Sequence, residues 1–390
     1  MNRLLLCAAL AVALAPLAVA PASAQDDGNV VITTAVPFLQ IEPDSRAAGM
    51  GMTGVATTDN AYAPFWNPAG LAGQEGTEIS LTYAPWLPAL GADLSYNYVS
   101  GKHSMGSAGT LGGHFTYFNL GEQTWTDDQG TELGEFRSFE LAAGLSYGVE
   151  VGNGLSIGAG GRFIYSSLVS GNILEDAQAG VSFGADLGVI YDAPQIDAGG
   201  IGVTPSLGFN LANMGPSITY LENGVPNAIP TNLRFGTGIE FEFDEFNKLT
   251  TALDLNKLIV SRDSSGEYEP FYQALFSSWG ERIVDTSAGT AGACSDRAAD
   301  EIPDNDCESV GVLRQLTLGA GLEYWYNDLL ALRGGYFYED PANGNREFLT
   351  FGAGIRYNVV GFDLSYIYAL EENSPLADQL RFSVLLNVPR

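Results

Sequence analysis

From Glu78 to Val388 the chain alternates between apolar and polar residues at every second position. Such a period of two is typical of β-strands that have one apolar and one polar face. The strands are long, numerous and rich in glycine on the polar face, which favours a membrane barrel with its apolar face outward. A soluble sandwich shows the same alternation and remains the alternative at this point. Near the C-terminus the apolar positions are Leu349, Phe351, Ala353, Ile355, Tyr357, Phe362, Leu364, Tyr366, Tyr368, Leu380, Phe382, Val384, Leu386 and Val388.

The alternation predicts fourteen strands. An even number is typical of bacterial outer-membrane barrels. The predicted strands are residues 77–84, 92–101, 107–118, 136–150, 154–168, 179–191, 200–212, 231–243, 246–258, 312–326, 328–339, 346–357, 360–370 and 379–388.

The connections between these strands alternate in length. If the first strand runs outward from the periplasm, the inner connections are short, whereas the outer ones are generally longer and include residues 119–135 and 259–311. Outer-membrane barrels have this asymmetry, and a Greek-key sandwich has no reason to keep it. We therefore predict an all-β, 14-stranded antiparallel transmembrane barrel over residues 77–390, with extracellular long loops and periplasmic termini.

Residues 25–76 do not alternate and are dominated by glycine and other small residues. Such a segment packs closely against other backbone but does not form a membrane strand. A barrel of fourteen strands is wide enough to hold a plug. We therefore predict that residues 25–76 form an N-terminal hatch inside the barrel.

Residues 1–24 have the features of a secretory signal peptide. Met1 to Arg3 is basic, Leu4 to Ala15 is apolar, and Ala22-Ser23-Ala24 is a small-residue cleavage site. Export and the barrel pattern together predict the outer membrane of a Gram-negative bacterium, with membrane lipid around the wall.

The net charge of −29, with only 17 Lys and Arg, argues against nucleic acid as a partner. Two cysteines remain after cleavage, Cys294 and Cys307, and export favours a disulfide between them. Two free thiols are the alternative; a metal site lacks the additional ligands that it needs.

The candidate chemistry does not indicate an enzyme. The pattern G-x-S-x-G occurs three times, each time in or beside a predicted strand, without the strand-turn-helix elbow of a nucleophile. Only two histidines, His103 and His114, are available as bases. We expect no catalytic residue, no cofactor and no metal site. Calcium in the acidic 259–311 loop stays an alternative to a solvated surface, although the regular calcium-loop spacing is missing.

Two predicted outer loops carry apolar residues that a purely solvated loop would not keep. Such clusters inside a polar rim indicate a partner, or burial against the barrel mouth. The candidate partner-binding residues are Trp86, Leu87, Phe271, Tyr272, Phe276 and Trp279.

Several segments carry a resemblance to known barrels. Asn67-Pro68-Ala69-Gly70-Leu71, after a glycine-rich segment and before fourteen strands, resembles the hatch of FadL-type barrels. Four further segments resemble the PorV family of the type IX secretion system, over nearly the whole mature chain. They are Phe38-Leu39 with Asp44-x-Arg46-Ala47-x-Gly49-Met50-Gly51, Thr82-Tyr83-x-Pro85-Trp86-Leu87, Tyr117-Phe118-Asn119-Leu120-Gly121-Glu122, and Asp244-Glu245-Phe246-Asn247-Lys248 with Leu253-Asp254-Leu255-Asn256-Lys257-Leu258.

The resemblance implies a non-enzymatic shuttle. Its partners would be the translocon barrel, secreted cargo with a C-terminal β-domain, and a surface attachment complex whose sortase removes that domain. The competing hypothesis is a FadL-like transporter of long-chain fatty acids or other hydrophobic compounds. The hatch motif residues that the resemblance implies are Asp44, Arg46, Gly49, Gly51, Asn67, Pro68, Ala69 and Gly70.

Overall fold

The computed structural model describes residues 34–88, 93–126, 129, 131–169, 176–263, 266–285, 307–371 and 374–388. The predicted signal peptide lies outside the described residues. Cys294 and the side chain of Cys307 also lie outside them, so the disulfide stays a prediction.

Fourteen antiparallel strands form the wall of the molecule. Each strand pairs with its neighbours in chain order, as the alternating pattern predicts. The strands are β1 (Thr77–Pro85), β2 (Ser95–Ser104), β3 (Thr110–Thr126), β4 (Glu132–Gly152), β5 (Leu155–Ser167), β6 (Gly180–Asp192), β7 (Gly202–Met214), β8 (Asn232–Glu242), β9 (Asn247–Leu258), β10 (Leu316–Tyr326), β11 (Leu330–Glu339), β12 (Arg346–Tyr357), β13 (Val360–Ala369) and β14 (Leu380–Val388).

The wall closes on itself through its first and last strands. β1 pairs with β14 from Thr77, opposite Val388, to Tyr83, opposite Phe382. Closure removes the exposed strand edges that an open sheet would leave. The predicted fold, a closed 14-stranded antiparallel barrel, is therefore confirmed.

The two faces of each strand differ in exposure, as β6 illustrates. The outward residues Phe183 and Leu187 are 62% and 53% exposed, whereas the inward residues Ser182 and Asp186 are buried. Because apolar residues face outward and polar residues face inward, the interior needs polar partners of its own.

Those partners come from the segment that precedes β1, residues 34–76, which we call the inner segment. It contains two four-residue α-helices, α1 (Ser45–Ala48) and α2 (Ala63–Trp66), and 3-10 turns at Pro37–Gln40 and Pro68–Leu71. α1 packs against β12, β13 and β14, while the second 3-10 turn packs against β3, β4, β5 and β6. The inner segment thus contacts opposite parts of the wall from within the barrel.

The strands meet in short turns at one end, which we call the turn end, and in generally longer connections at the other, the loop end. The largest difference from the predicted boundaries is the hairpin of β3 and β4. The predicted loop 119–135 is wrong, because the two strands continue to Thr126 and from Glu132. Their pairing resumes at Glu122 after an irregularity that begins at Asn119. This extension is mostly polar, and its few apolar residues do not alternate, so the apolar pattern does not detect it although its backbone hydrogen bonds continue.

The predicted long loop 259–311 contains regular structure in its described part. A third helix, α3, covers Phe271–Ser277, and Arg282–Asp285 pairs with Cys307–Val310 as a two-stranded ribbon. A two-residue strand, Ile196–Asp197, extends the sheet beside β7 at the turn end.

In the described part of the chain, no helix combines the length and the apolar character that crossing a membrane requires.

Candidate functional site

Asp44 joins the two helices of the inner segment. Its Oδ1 accepts the backbone N–H of Ala47 at 2.6 Å and so caps α1, while Trp66 Nε1 donates to Oδ2 at 2.9 Å. A side-chain acceptor at this position satisfies an N–H that a helix start leaves without a partner. Burial raises the pKa of Asp44, and the hydrogen bond from Ala47 opposes that rise only in part.

Arg46 connects the inner segment to the barrel wall through an ion pair. Its Nη2 lies 2.7 Å from Oε1 of Glu323 on β10, and its Nη1 pairs with Asp59 within the inner segment. Burial alone would lower the pKa of Arg46, but the carboxylates of Asp59 and Glu323 outweigh it and raise the pKa well above its ordinary value. The guanidinium therefore stays charged inside the barrel.

The same network continues through the wall. Arg333 Nε lies 2.6 Å from Oε2 of Glu323, and Arg333 Nη1 lies 2.8 Å from Oδ1 of Asp363. Arg356 Nη2 contacts Oδ2 of Asp363 at 2.6 Å. The side chains of Glu323 and Arg333 are fully buried. Because an unpaired buried charge is costly, each carboxylate here is shared between two guanidinium groups.

Gly49 and Gly51 let the inner segment touch the wall directly. A Cβ on Gly49 would lie 2.9 Å from Cα of Gly352. Gly51 has φ +66°, and a Cβ there would lie 2.3 Å from the carbonyl oxygen of Ala320. Its own N–H donates to Oγ1 of Thr350 at 2.8 Å. A residue with a side chain would separate the two backbones at both places.

The Asn67-Pro68-Ala69-Gly70 motif seats the inner segment on the other side of the barrel. Asn67 Oδ1 accepts the N–H of Ala69 at 3.1 Å, and Asn67 Nδ2 donates to the carbonyl oxygens of Val55 and Val189 at 3.0 and 3.1 Å. The Asn67 amide comes so close to β6 that only glycine fits at position 188. Pro68, Ala69 and Gly70 are buried in the turn that follows.

Two wall residues that hold the inner segment were not among the predicted hatch motif residues. Asp254 on β9 accepts the N–H groups of Gly54 and Val55 at 2.7 and 3.0 Å. Ser383 on β14 contacts Oγ of Ser45 at 2.8 Å. Both residues occupy inward positions of the alternating pattern, and Asp254 also lies in a segment that resembles the PorV family, but neither signal identifies the contact partner.

A cavity of about 370 Å³ opens at the loop end, above the inner segment. Its wall includes Phe38, Trp86, Phe118 and Phe337, and the Trp86 ring packs edge-on against Phe118 at 6.1 Å between centroids. Trp86, a predicted partner-binding residue, therefore lies in the cavity. Its neighbour Leu87 is half-buried and has φ +49°.

Arg234 supplies a buried cation to the same cavity. Its Nη1 donates to the carbonyl oxygen of Phe65 at 2.9 Å, and its guanidinium carbon lies 4.8 Å from the Phe65 ring centre. The alternation of Arg234 with the apolar residues Leu233 and Phe235 indicates an inward position but gives no sign of the aromatic rings around it.

The other predicted loop residues lie outside this cavity. Phe271, Tyr272 and Phe276 share α3, and Trp279 follows it, with Nε1 donating to the carbonyl oxygen of Leu275 at 2.8 Å. The Phe276 side chain is 84% exposed. The structure thus separates the predicted loop residues into a cavity residue, Trp86, and an exposed aromatic surface.

No group of three or more His, Cys, Asp or Glu side chains with metal-site geometry occurs within the described ranges. The acidic 259–311 loop, in which calcium binding was the alternative to a solvated surface, is described only in part.

Comparison with solved structures agrees on the fold alone. A mutant of the monoaromatic hydrocarbon channel TodX that lacks S2 and S3 is 12% identical, with a TM-score of 0.50 over 88% of this chain and 98% of that chain. The Ralstonia pickettii toluene transporter TbuX is 15% identical, with a TM-score of 0.46 over 88% of this chain and 96% of that chain. No curated protein matches the sequence.

Comparison with protein families is more specific. The model for type IX secretion system protein PorV matches residues 23–265, which is more than half of the chain. Together with the closed barrel, this match identifies the molecule as an outer-membrane β-barrel that belongs to the PorV family of the type IX secretion system.

Proposed function

We propose that this barrel is a shuttle of the type IX secretion system. It accepts secreted cargo from the translocon barrel by binding the cargo's C-terminal β-domain, and it presents that cargo to the surface attachment complex, where a sortase acts. The barrel itself performs no catalytic step. The loop end faces outward, both termini are periplasmic, and membrane lipid surrounds the wall.

The filled barrel interior is the observation that carries this proposal. The inner segment is held on one side by the Arg46–Glu323 ion pair and on the other by the Asn67 amide. An inner segment that is fixed on two sides obstructs the described part of the lumen for a polypeptide. Cargo contact therefore belongs on the rim of the barrel, in keeping with a shuttle.

The exposed aromatic surface of α3 is the best candidate for that contact. Tyr272, Phe276 and Trp279 are 56%, 84% and 45% exposed, and Leu313, in the short turn before β10, is 82% exposed. Large aromatic residues carry much of the binding energy in protein interfaces. An apolar cluster at the end of a wide acidic barrel fits a protein partner better than open solvent.

Affinity purification of the tagged barrel from native outer membranes, followed by mass spectrometry, tests the proposal. We expect the wild type to recover a very large barrel and secreted proteins that share a C-terminal β-domain. Phe276→Ser should reduce cargo recovery about tenfold, the effect of losing an interface aromatic. Phe246→Ser is the matched control, because Phe246 is also an exposed phenylalanine but lies at the turn end. Equal recovery by both variants would argue against the α3 surface.

A transporter of hydrophobic compounds is the second candidate function. The aromatic cavity above the inner segment favours it, because such walls suit an apolar ligand. The same purification separates the two functions. Recovery of the barrel alone, with fatty acid or another lipid in the extract, would support transport instead of cargo shuttling.

A further inference from the structure

Arg234 is a buried cation without a carboxylate partner. It is 4% exposed, and within the described ranges it forms no ion pair. Its one hydrogen bond is to a backbone carbonyl, and its other contacts are the rings of Phe65 and Trp66, at 4.8 and 5.7 Å. Two other inward arginines, Arg162 and Arg333, have carboxylate partners, whereas Arg381 is buried without an ion pair among the described residues and does not line this cavity. A guanidinium in an aromatic cavity is well suited to an anion that comes from outside the chain.

The side-chain oxygens of two asparagines beside Arg234 are buried and receive no hydrogen bond from the described residues. Asn232 and Asn256 line the same cavity, and neither side-chain oxygen has a hydrogen-bond partner among the described residues. A buried acceptor without a donor is costly, so a ligand with N–H groups would be stabilised there. The alkyl chain of a fatty acid carries no such donor, whereas a peptide backbone carries one at nearly every residue.

The remaining charges of the cavity favour the same ligand class. Glu339 pairs with Arg346, and Glu42 of the inner segment is a second carboxylate that lines the cavity. A nearby carboxylate disfavours an isolated anion but accepts hydrogen bonds from N–H groups. The site therefore suits a ligand that carries donors next to its negative charge.

From this arrangement we infer that the loop-end cavity binds the C-terminal end of a polypeptide. Arg234 holds the terminal carboxylate, Asn232 and Asn256 accept backbone N–H groups, and the aromatic wall, which includes Trp86 and Phe337, receives an apolar side chain. This inference rests on the proposed shuttle function, because it makes the cavity a second contact for the cargo, separate from α3.

Fluorescence anisotropy on the barrel in lipid nanodiscs tests the inference. The probe is a fluorescein-labelled hexapeptide that ends in leucine, with either a free C-terminal carboxylate or a C-terminal amide. We expect the free acid to bind about tenfold more tightly, which corresponds to about 1.4 kcal/mol. Arg234→Gln should abolish this preference. Arg137→Gln is the control for the loss of one positive charge and should retain the preference, because Arg137 is an exposed residue that pairs with Glu122 and does not line the cavity.

A second variant allows the inference to be tested even if Arg234→Gln does not fold. Asn256→Leu leaves the guanidinium in place but removes one side-chain acceptor for the N–H groups of the peptide. It should therefore weaken the binding of the free-acid peptide and of the amide peptide by the same factor. Heat-modifiable migration on a denaturing gel checks that each variant still forms the barrel. Equal affinity of the two peptides for the wild type would overturn the inference. Binding of laurate that depends on Arg234, without binding of the peptide, would overturn it in favour of a fatty acid.

Failure of this inference is distinguishable from failure of the proposed function. If purification recovers secreted cargo but the two peptides bind equally, only the role of the cavity is wrong. If the acid peptide binds through Arg234 but no secreted protein is recovered, the cavity is a carboxylate site and the shuttle function is wrong.

Discussion

Replacing Glu323 by glutamine tests the central ion network. Glu323 is fully buried and accepts from Arg46 at 2.7 Å and from Arg333 at 2.6 Å. Glutamine keeps the shape but removes the charge, so both guanidinium groups lose a partner inside the barrel. Breaking a buried ion pair on one side costs about 3–5 kcal/mol. We expect the free energy of unfolding of Glu323→Gln to fall by about that amount.

Guanidinium-induced unfolding of the barrel in lipid vesicles, followed by tryptophan fluorescence, measures this change. Arg137→Gln is the control, because Arg137 is 80% exposed and lies 3.7 Å from Glu122 in a surface ion pair. Surface pairs contribute little to stability. The reasoning would be refuted if the two variants shifted the unfolding midpoint equally. Hydrogen exchange adds a local measure, since the amides of the inner segment should lose protection in Glu323→Gln.

Two further variants test how the inner segment is seated, with the same unfolding assay. Gly51→Ala should cost about 2 kcal/mol or more, because its Cβ would strike the Ala320 carbonyl at a positive φ. Gly73→Ala has a similar φ of +68° but no atom within 4 Å, so about 1 kcal/mol is expected there; equal costs would contradict the steric argument. Asn67→Ala should cost about 2 kcal/mol, because it leaves carbonyl groups without their donor. An unchanged midpoint would show that the amide is not needed.

The strands of the wall could be predicted from the sequence because the alternation of apolar and polar residues that determines them is local to each strand. Each strand has its own alternation, so the inward position of Asp363 or Arg333 follows from neighbours two residues away. Boundaries were less accurate where this signal stopped, as in the polar hairpin that reaches Thr126. There the backbone pairing continues without a regular apolar alternation that would indicate it.

The contacts inside the barrel could not be predicted in the same way. The inward position of Glu323 indicates a partner, but the choice of Arg46 depends on how the inner segment lies against strands from distant parts of the chain. The cavity is a similar case, since Arg234, Trp86 and Phe337 come from separate strands and a loop. No spacing along the chain relates them, so only the assembled barrel brings them together.

The position of the inner segment also constrains the order of assembly. Arg46 is synthesised early, whereas Glu323, its carboxylate partner on the wall, follows 277 residues later. The wall closes only when β14 reaches β1, which directly follows the inner segment. Contacts this distant in sequence form slowly. A barrel that closed before the inner segment was in place would leave inward groups such as Asp254 and Glu323 without their partners from that segment, which is costly. We therefore expect the inner segment to be in place before, or as, β1 pairs with β14, so that closure of this seam is a late step of folding.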